Sequence, residues 1–349
     1  MMSEAHNQAA ARFKVIGVGG IGCEVISQIV TTRAPTPPNI EYIAMDTDAQ
    51  DLEMACVPVR IQLGGHLLHG LDSGTDPGMG RQAAEESKVQ IRQSVRGAEI
   101  LFIVAAMGGG TGAGSAPVIA EIASQMGILT IGMVILPFSF EGTHRMNIAQ
   151  QGVGEMGKQV DSLVTVHQDS AATLFDGKRS VREVLHVSRD LIAQGIDMIT
   201  IPVYTPCLIN LNMADISSIL KGSGLAKMAV GCASGKDRSA QATSDALANL
   251  TLSLLEKKPK AAIFSTTGNS SLTLFEVNEA AKIIRDEIHP DANIIFSTYL
   301  DLNLGEEMKV TLLVTKFSGQ EKSRVNRFEN YRSITTDPTV GQKKSGMRD

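Results

Sequence analysis

The segment Gly108–Ser115, which reads GGGTGAGS, constrains the fold of this chain more than any other stretch. It follows the apolar run ILFIVAA at 100–106 and precedes a helical pattern at 116–125. A glycine loop between a buried strand and a helix presents consecutive backbone N–H groups, and the helix N-terminus adds a positive dipole. Glycine runs cost backbone entropy and bring no packing, so a merely structural turn explains this one poorly. The segment predicts a cradle for phosphate oxygens, with Thr111 as a hydroxyl donor.

A second glycine loop lies near the N-terminus, between the apolar run at 13–17 and a helical pattern at 23–30. Gly17, Gly19 and Gly22 fit the spacing GxGxxG, and Asp46 and Asp48 follow the next apolar run. This context is typical of a dinucleotide fingerprint. Alone it leaves open a structural turn or an NAD-dependent oxidoreductase. A dehydrogenase has no use for a second cradle, and two cradles on adjacent strands fit a nucleoside triphosphate held from two sides.

The apolar runs predict an α/β fold with a parallel sheet. Continuous apolar strands that alternate with helices are covered on both faces. The predicted strands of the first half are 13–17, 40–45, 100–106 and 129–136, and the predicted helices are 23–30, 82–95 and 116–125.

The second half predicts a long central helix and a smaller α/β domain. The helix is expected from residue 181 to about 199, where Pro202 and Pro206 end it. Residues 226–256 have a helical pattern. A strand at 261–267, a helix at 274–287 and strands at 293–300 and 309–315 follow, with some antiparallel pairing expected.

These patterns divide the chain into five parts. They are a disordered lead (1–11), a nucleotide-binding domain (12–180), a central helix with its connection (181–207), a C-terminal domain (208–317) and a flexible tail (318–349). The tail carries seven Lys and Arg against four Asp and Glu.

Composition excludes several classes of function. A net charge of −5, 4% aromatic residues and no Trp argue against a nucleic-acid-binding protein. The four cysteines have no metal-ligand spacing, so no metal site built from side chains is expected. We found neither a signal peptide nor an apolar run long enough to cross a membrane, which predicts a cytoplasmic protein without membrane insertion.

Several motifs together resemble the FtsZ and tubulin family, and FtsZ more than tubulin. They are FKVIGVGGIGCEV, EYIAMDTDAQDL, the loop Gly108–Ser115, PFSFEGTHR at 137–145, VDSLVTV at 160–166, LINLNMADI at 208–216, GCASGKDR and SLTLFEVNEAAKIIRDEIHPDANIIF. The resemblance implies binding of GTP and GDP, expected with Mg²⁺, and head-to-tail self-association into filaments. It also implies FtsZ or membrane-tethered division proteins as partners.

The resemblance also implies roles for individual residues. The residues implied to contact the nucleotide are Gly19, Gly20, Ile21, Glu24, Gly108, Gly109, Gly110, Thr111, Gly112, Gly114, Glu141, Arg145, Gln168 and Arg182. The implied catalytic loop contains Asn210, Asn212 and Asp215. Asp215 would orient the attacking water on the nucleotide of the neighbouring subunit.

The chain departs from the family pattern at three points in this site. The family's loop reads Asn-x-Asp-x-Ala-Asp, whereas Asn212 here replaces the first Asp. Glu24 replaces an Asn that touches the base, and Arg182 or Glu183 stands where the base-reading Asp is expected. Glu24 and Arg182 are either a surface pair without a role or a pair that reads guanine with exchanged donor and acceptor. Either a slow GTPase or a filament with negligible turnover fits these changes.

The segments outside the site differ from the family as well. Extra residues lie around 201–207, and the tail lacks the short acidic and apolar peptide that FtsZ uses to recruit partners. Together the departures suggest a divergent second copy of FtsZ rather than the principal division protein.

Overall fold

The computed structural model describes residues 12–32, 39–169, 180–205, 207–250 and 258–317. Its strands form one sheet in the order β3-β2-β1-β4-β5-β6-β7-β10-β8-β9. The strands are β1 (Phe13–Val18), β2 (Ile40–Asp46), β3 (Val59–Gln62), β4 (Ile100–Ala106), β5 (Leu129–Leu136), β6 (Ser162–His167), β7 (Gly224–Ala233), β8 (Pro259–Gly268), β9 (Asn293–Leu300) and β10 (Met308–Phe317).

Helices cover both faces of this sheet. They are α1 (Gly19–Thr32), α2 (Ala49–Met54), α3 (Gly65–Leu68), α4 (Pro77–Glu86), α5 (Lys88–Val95), α6 (Gly110–Gln125), α7 (Thr143–Gln159), α8 (Val181–Tyr204), α9 (Met213–Leu220), α10 (Arg238–Asn249) and α11 (Leu274–Glu287).

The strands of the first half are parallel and buried on both sides, which is why they read as unbroken apolar runs. In β4, Phe102 belongs to a core that includes residues of α1, α8 and α9. The next residue, Ile103, belongs to a core on the opposite face, with residues of α4, α5, α6 and α7. The predicted parallel sheet is confirmed.

The second half of the sheet is mixed. Strand β10 is antiparallel to both β7 and β8, and β9 is parallel to β8. Helices α10 and α11 cover one face around a third core. Arg238, at the start of α10, donates to Glu276 of α11 at 2.6 Å and so ties the two helices together. This mixed sheet confirms the expected antiparallel pairing, and α8 packs against strands of both halves.

The helical prediction for residues 226–256 was wrong over its first part. Residues 224–233 form β7, which pairs with β6 and β10. The run AKMAV favours a helix by propensity, and pairing on both sides overrides that preference. A Cβ on Gly231 would lie 1.9 Å from the carbonyl oxygen of Ala242, so this strand also needs a glycine under α10.

Two helix boundaries also differ from the prediction. The expected helix at 82–95 is divided at Ser87, whose backbone leaves helical geometry and whose hydroxyl accepts the N–H of Gly64. The long helix continues through Pro202 to Tyr204, although a proline inside a helix removes one hydrogen bond and crowds the carbonyl group one turn earlier. Pro206 and the predicted lead and tail lie outside the described residues. No helix of the described part is long and apolar enough to cross a membrane.

Candidate functional site

The carboxyl ends of four neighbouring strands bring most of the predicted nucleotide residues to one edge of the sheet. Strands β1, β4, β5 and β6 lie side by side and parallel. Helix α1 begins directly after β1, and α6 begins four residues after β4. Because Val18 pairs with Ala105, the two glycine loops leave the sheet at the same level along their strands. The prediction that the two loops follow adjacent strands is confirmed.

The two loops touch each other at Gly19. Its φ is +73°, a conformation that favours glycine, and a Cβ there would lie 3.3 Å from the backbone nitrogen of Gly112. The N-termini of α1 and α6 therefore converge. The first-turn N–H groups of a helix have no partner within the helix, so both ends can donate to one anion. Ile21, in the first turn of α1, has 40% of its surface exposed.

The glycines of the second loop differ in what surrounds them. A Cβ on Gly109 would meet nothing within 4 Å, so the space beside it is open. A Cβ on Gly110 would lie 2.6 Å from the Ser73 hydroxyl oxygen, and one on Gly112 would lie 2.2 Å from the carbonyl oxygen of Ala106. A Cβ on Gly114 would lie 2.1 Å from the carbonyl oxygen of Pro77.

Close packing therefore explains three of these glycines. Gly110, Gly112 and Gly114 let α6 approach α4 and β4, contrary to the view that packing explains this loop poorly. The N–H of Gly110 donates to the carbonyl of Gly74 at 2.8 Å, so it is already used within the protein. Gly109 is the glycine whose missing side chain leaves space for a ligand.

The hydroxyl of Thr111, which was predicted to donate to phosphate, is paired within the protein. Its hydroxyl is buried, 2.9 Å from the hydroxyl of Thr47 and 2.7 Å from that of Ser73. The backbone N–H of Ser73 also donates to Thr47. This hydroxyl cluster fixes the loops after β2 and α3 against the second glycine loop. Thr47 lies within the motif EYIAMDTDAQDL but was assigned no role, and Ser73 lies in none of the quoted motifs.

A group of carboxylates lies beside the first glycine loop. Asp46, at the end of β2, is 2% exposed and accepts the N–H of Thr47 at 2.7 Å. Burial raises the pKa of Asp46 to about 7, and the charges of Asp51 and Asp72 add to the effect. Burial, Asp48, Asp72 and Glu24 raise the pKa of Asp51. A Cβ on Gly20 would lie 2.5 Å from a carboxylate oxygen of Asp51, which places that carboxylate over the loop.

Glu24 has an arginine partner on α8 other than Arg182, and the prediction that Glu24 and Arg182 read guanine together stays a prediction. Glu24 of α1 forms an ion pair with Arg189, in the third turn of α8. Gln28, one turn further along α1, donates to Asp190 at 2.9 Å. Arg182 falls in the first turn of α8, and its side chain lies outside the described part of the structure.

Three further predicted residues lie at the same edge. Arg145 donates to Glu141 at 2.7 Å, and the other oxygen of Glu141 accepts the N–H of Phe138 at 2.8 Å. A Cβ on Gly108 would lie 3.4 Å from the carbonyl oxygen of Arg145, so α7 begins beside the second glycine loop. Gln168 follows β6, is 4% exposed, and has a side-chain oxygen without a partner among the described residues.

The predicted catalytic loop lies in the second half of the sheet, where Leu208 and Ile209 pair with Thr298 near the carboxyl end of β9. Helix α9, which carries Asp215 in its first turn, ends at Leu220, and β7 begins at Gly224 beside Ser162, the first residue of β6. The N–H groups of Gly222 and Gly224 donate to Asp161, just before β6. Helix α9 therefore connects the loop beside β9 to the amino ends of β6 and β7.

The two asparagines of this loop have local partners. The side-chain oxygen of Asn212 accepts the N–H of Asp215 at 2.8 Å and caps α9. The side-chain oxygen of Asn210 accepts the N–H of Cys207 at 2.9 Å. Both amides thus shape the loop that presents Asp215.

The fold and the glycine loops define a nucleotide-binding α/β protein with two domains. The family model described as the tubulin/FtsZ family GTPase domain matches residues 12–176. The model of the FtsZ family C-terminal domain matches residues 224–318. The chain belongs to the tubulin/FtsZ family, the family of GTP-binding cytoskeletal filament proteins, and its first domain is that family's GTPase domain.

Solved structures of similar proteins agree with this assignment. The chain is 29% identical to FtsZ from M. jannaschii, solved as an empty dimer, with a TM-score of 0.84 over 89% of this chain and 90% of that one. CetZ2 from Haloferax volcanii, solved as a GTPγS-bound protofilament, is 20% identical with a TM-score of 0.73, covering 92% of this chain and 98% of that one. The second likeness concerns the fold alone.

The family assignment, and not the strand order of the sheet, rules out an NAD-dependent oxidoreductase. The first six strands have the order β3-β2-β1-β4-β5-β6, which is also the order of dinucleotide-binding folds. What separates the two classes is the second glycine loop and the match of both domains to one GTPase family.

Proposed function

We propose that this chain forms head-to-tail filaments and hydrolyses GTP slowly at the junction between two subunits. The observation that carries this proposal is the position of Asp215 relative to the glycine loops. The glycine loops follow β1 and β4, whereas the loop before α9 pairs with β9. Six strand intervals, about 29 Å, separate β4 from β9 in the sheet. A second copy stacked head to tail, rather than the same subunit, would bring Asp215 to a nucleotide held by Gly109.

Exposed apolar side chains near the glycine loops and near the catalytic loop support such stacking. Near the glycine loops, Leu71 and Phe140 are 69% and 75% exposed. Leu208 precedes the catalytic loop, and Leu274, Phe275 and Leu302 follow β8 and β9 in the same half of the sheet; these four side chains are between 63% and 78% exposed. Different patches that meet head to tail do not close on themselves, so such contacts generate a filament.

The proposed chemistry needs positioning rather than covalent catalysis. Phosphoryl transfer depends mainly on orienting the attacking water and stabilising the charge on the phosphate. Asp215 is the carboxylate that would orient the water. Asn212 can hydrogen-bond the same water but cannot take up its proton at neutral pH, which supports slow turnover.

Phosphate release measured against protein concentration tests this function. Turnover per subunit should rise with concentration and reach a plateau as the protein becomes sedimentable with GTP. A rate per subunit that does not depend on concentration would remove the junction from the mechanism. Sedimentable polymer without phosphate release would instead support a structural filament with negligible turnover.

The domain boundaries and partners belong to the same proposal. We place the GTP-binding domain at 12–180, the helix and connection at 181–207 and the activation domain at 208–317. FtsZ or membrane-tethered division proteins would be the further partners, and the cytoplasm the compartment. Deleting residues 318–349 should leave GTP binding unchanged and alter bundling, and lost GTP binding would show that this boundary is misplaced.

A further inference from the structure

The backbone of Asp215 is held at both of its polar groups. Its N–H group donates to the side-chain oxygen of Asn212 at 2.8 Å, and its carbonyl oxygen accepts the hydroxyl of Ser218 at 2.7 Å. Ser218 lies in the second turn of α9. Since α9 has only eight residues, a shift of its last turn also moves the turn that carries Asp215.

The last turn of α9 receives a hydrogen bond from outside the helix. The carbonyl oxygen of Ser218 accepts a 2.6 Å hydrogen bond from the ammonium group of Lys316, near the end of β10. The last carbonyl groups of a helix have no partner within it, and Gly222, whose N–H would reach Ser218 if the helix continued, donates to Asp161. A positive charge also interacts favourably with the negative end of the helix dipole. Lys316 thus completes the carboxyl end of α9.

The backbone of Lys316 adopts an unfavourable conformation. Its φ is +57°, and among the described residues only His69 is another non-glycine residue with a positive φ. Glycine adopts this conformation readily, whereas a side chain makes it costly. Such a conformation persists where the surrounding structure imposes it, and it marks a candidate functional position. The contact with α9 is what a glycine at this position would lack.

The neighbours of Lys316 in the chain fix its position. The hydroxyl of Thr315 donates to the carbonyl oxygen of Leu225 at 2.9 Å, and Phe317 is 8% exposed within the third core. The pairing of β10 with β8 includes Thr315 and Phe317 and leaves out Lys316. Lys316 is therefore held between two anchored residues, and its side chain reaches α9 from a packed part of the C-terminal domain.

We propose that Lys316 is a positioning residue for GTP hydrolysis, which fixes α9 and thereby aims Asp215 at the nucleotide of the neighbouring subunit. The inference rests on the proposed hydrolysis between subunits and adds a residue to it. Lys316 acts through the carbonyl group of Ser218. Its loss should lower turnover at an assembled junction and leave GTP binding unchanged, because four strand intervals, about 19 Å, separate β4 from β10.

Three substitutions of Lys316 separate positioning from stability. Lys316→Met keeps most of the side-chain length but no donor, and its turnover at saturating GTP should fall about tenfold. Lys316→Arg keeps a cationic donor and should stay within about threefold of the unaltered protein. Lys316→Gly should melt at a higher temperature than Lys316→Met, because glycine suits the left-handed backbone, yet hydrolyse GTP as slowly. A role in stability alone would instead make the rate follow the melting temperature.

The measurements are phosphate release per sedimented subunit, GTP affinity by titration calorimetry, and thermal melts. Lys309→Met, at the other end of β10, is the control and should equal the unaltered protein in all three. Ser218→Ala removes the hydroxyl contact to Asp215 and should also slow turnover. In the double variant of Ser218→Ala with Lys316→Met, the two losses should combine to less than their product, because both act through the same backbone.

The outcomes distinguish this inference from the function on which it rests. An unchanged rate per sedimented subunit in Lys316→Met and Lys316→Gly, with Asp215→Ala inactive, would overturn the role of Lys316 while hydrolysis between subunits stands. A rate that follows the melting temperature, or that Lys316→Arg does not preserve, would overturn it as well. Equal turnover by Asp215→Ala and the unaltered protein would instead overturn the proposed function.

Discussion

The side-chain oxygen of Asn212 accepts a 2.8 Å hydrogen bond from the backbone N–H of Asp215. Asn212 is thereby the N-cap of α9 and fixes how the helix that carries Asp215 begins. Asn and Asp cap helices about equally well. Replacing one by the other should therefore change the charge at this position without changing the shape of the loop.

The variant Asn212→Asp should hydrolyse GTP at least about tenfold faster than the unaltered protein, because a carboxylate can accept a proton from the attacking water. Asp215→Ala should abolish turnover with GTP affinity unchanged. The measurement is phosphate release at matched polymer mass. Asn212→Ala is the control for the cap: it should lose about 1 kcal/mol of stability and gain no activity. Equal rates for Asn212→Asp and the unaltered protein would show that Asn212 does not limit turnover.

Gly109→Val should abolish GTP binding and leave the fold intact. The space beside Gly109 is open, and its backbone, with φ −102° and ψ 168°, suits a β-branched residue. The added side chain would occupy the space proposed for phosphate oxygens. Gly112→Ala is the contrasting variant, because its Cβ would lie 2.2 Å from the carbonyl oxygen of Ala106 and should lower the melting temperature. Calorimetric titration and thermal melts of both variants check this, and tight GTP binding by Gly109→Val would refute the cradle.

Base selectivity should depend on the pair formed by Glu24 and Arg189. We expect micromolar or tighter GTP binding that ATP and NAD do not match. If Glu24 accepts from guanine and Arg189 orients it, Glu24→Gln and Arg189→Met should each reduce the preference for GTP over ATP about tenfold or more, as for a lost charged hydrogen bond. Competition titrations measure the preference. Arg182→Met is the comparison variant. If only Arg182→Met changes the preference for GTP over ATP, the base-reading role belongs to Arg182 and not to Arg189.

The stability of the nucleotide-free protein should depend on pH through Asp46. Burial raises its pKa from 3.8 to about 7, so the folded state holds a proton that the unfolded state releases. The resulting penalty grows as pH rises from about 4 to about 7 and is then constant. Asp46→Asn removes it, so the variant should melt at a higher temperature than the unaltered protein at pH 8, and this gain should shrink as the pH falls. Thermal melts across this range test it, and a gain that does not vary with pH would contradict the cause given.

The sequence predicted the sheet and the glycine loops well because their signals are local. Unbroken apolar runs located β1, β4 and β5, and the turn and apolar pattern predicted α11 and β9 at the bounds that the structure has. Strand β7 was missed because pairing with β6 and β10, not its own composition, determines its conformation.

Only those parts of the site that consist of motif residues were predicted from the sequence. Which arginine meets Glu24 depends on how α8 lies against α1, and this cannot be read from spacing along one helix. Likewise, Thr47 and Ser73 reach Thr111 from loops that are distant in sequence. Gly110 and Gly114 pack against α4 and the residues just before it, and none of the quoted motifs lies in α4.

The shared site at the junction is tested most directly by mixing two inactive variants. Gly109→Val lacks nucleotide but keeps Asp215, and Asp215→Ala binds GTP but lacks the carboxylate. In an equal mixture that co-assembles at random, about a quarter of the junctions combine an intact cradle with an intact Asp215. Phosphate release should therefore return in the mixture to about a quarter of the unaltered rate at the same total concentration, while each variant alone stays inactive. A mixture that remains inactive although both variants are found in the same polymer would contradict hydrolysis between subunits.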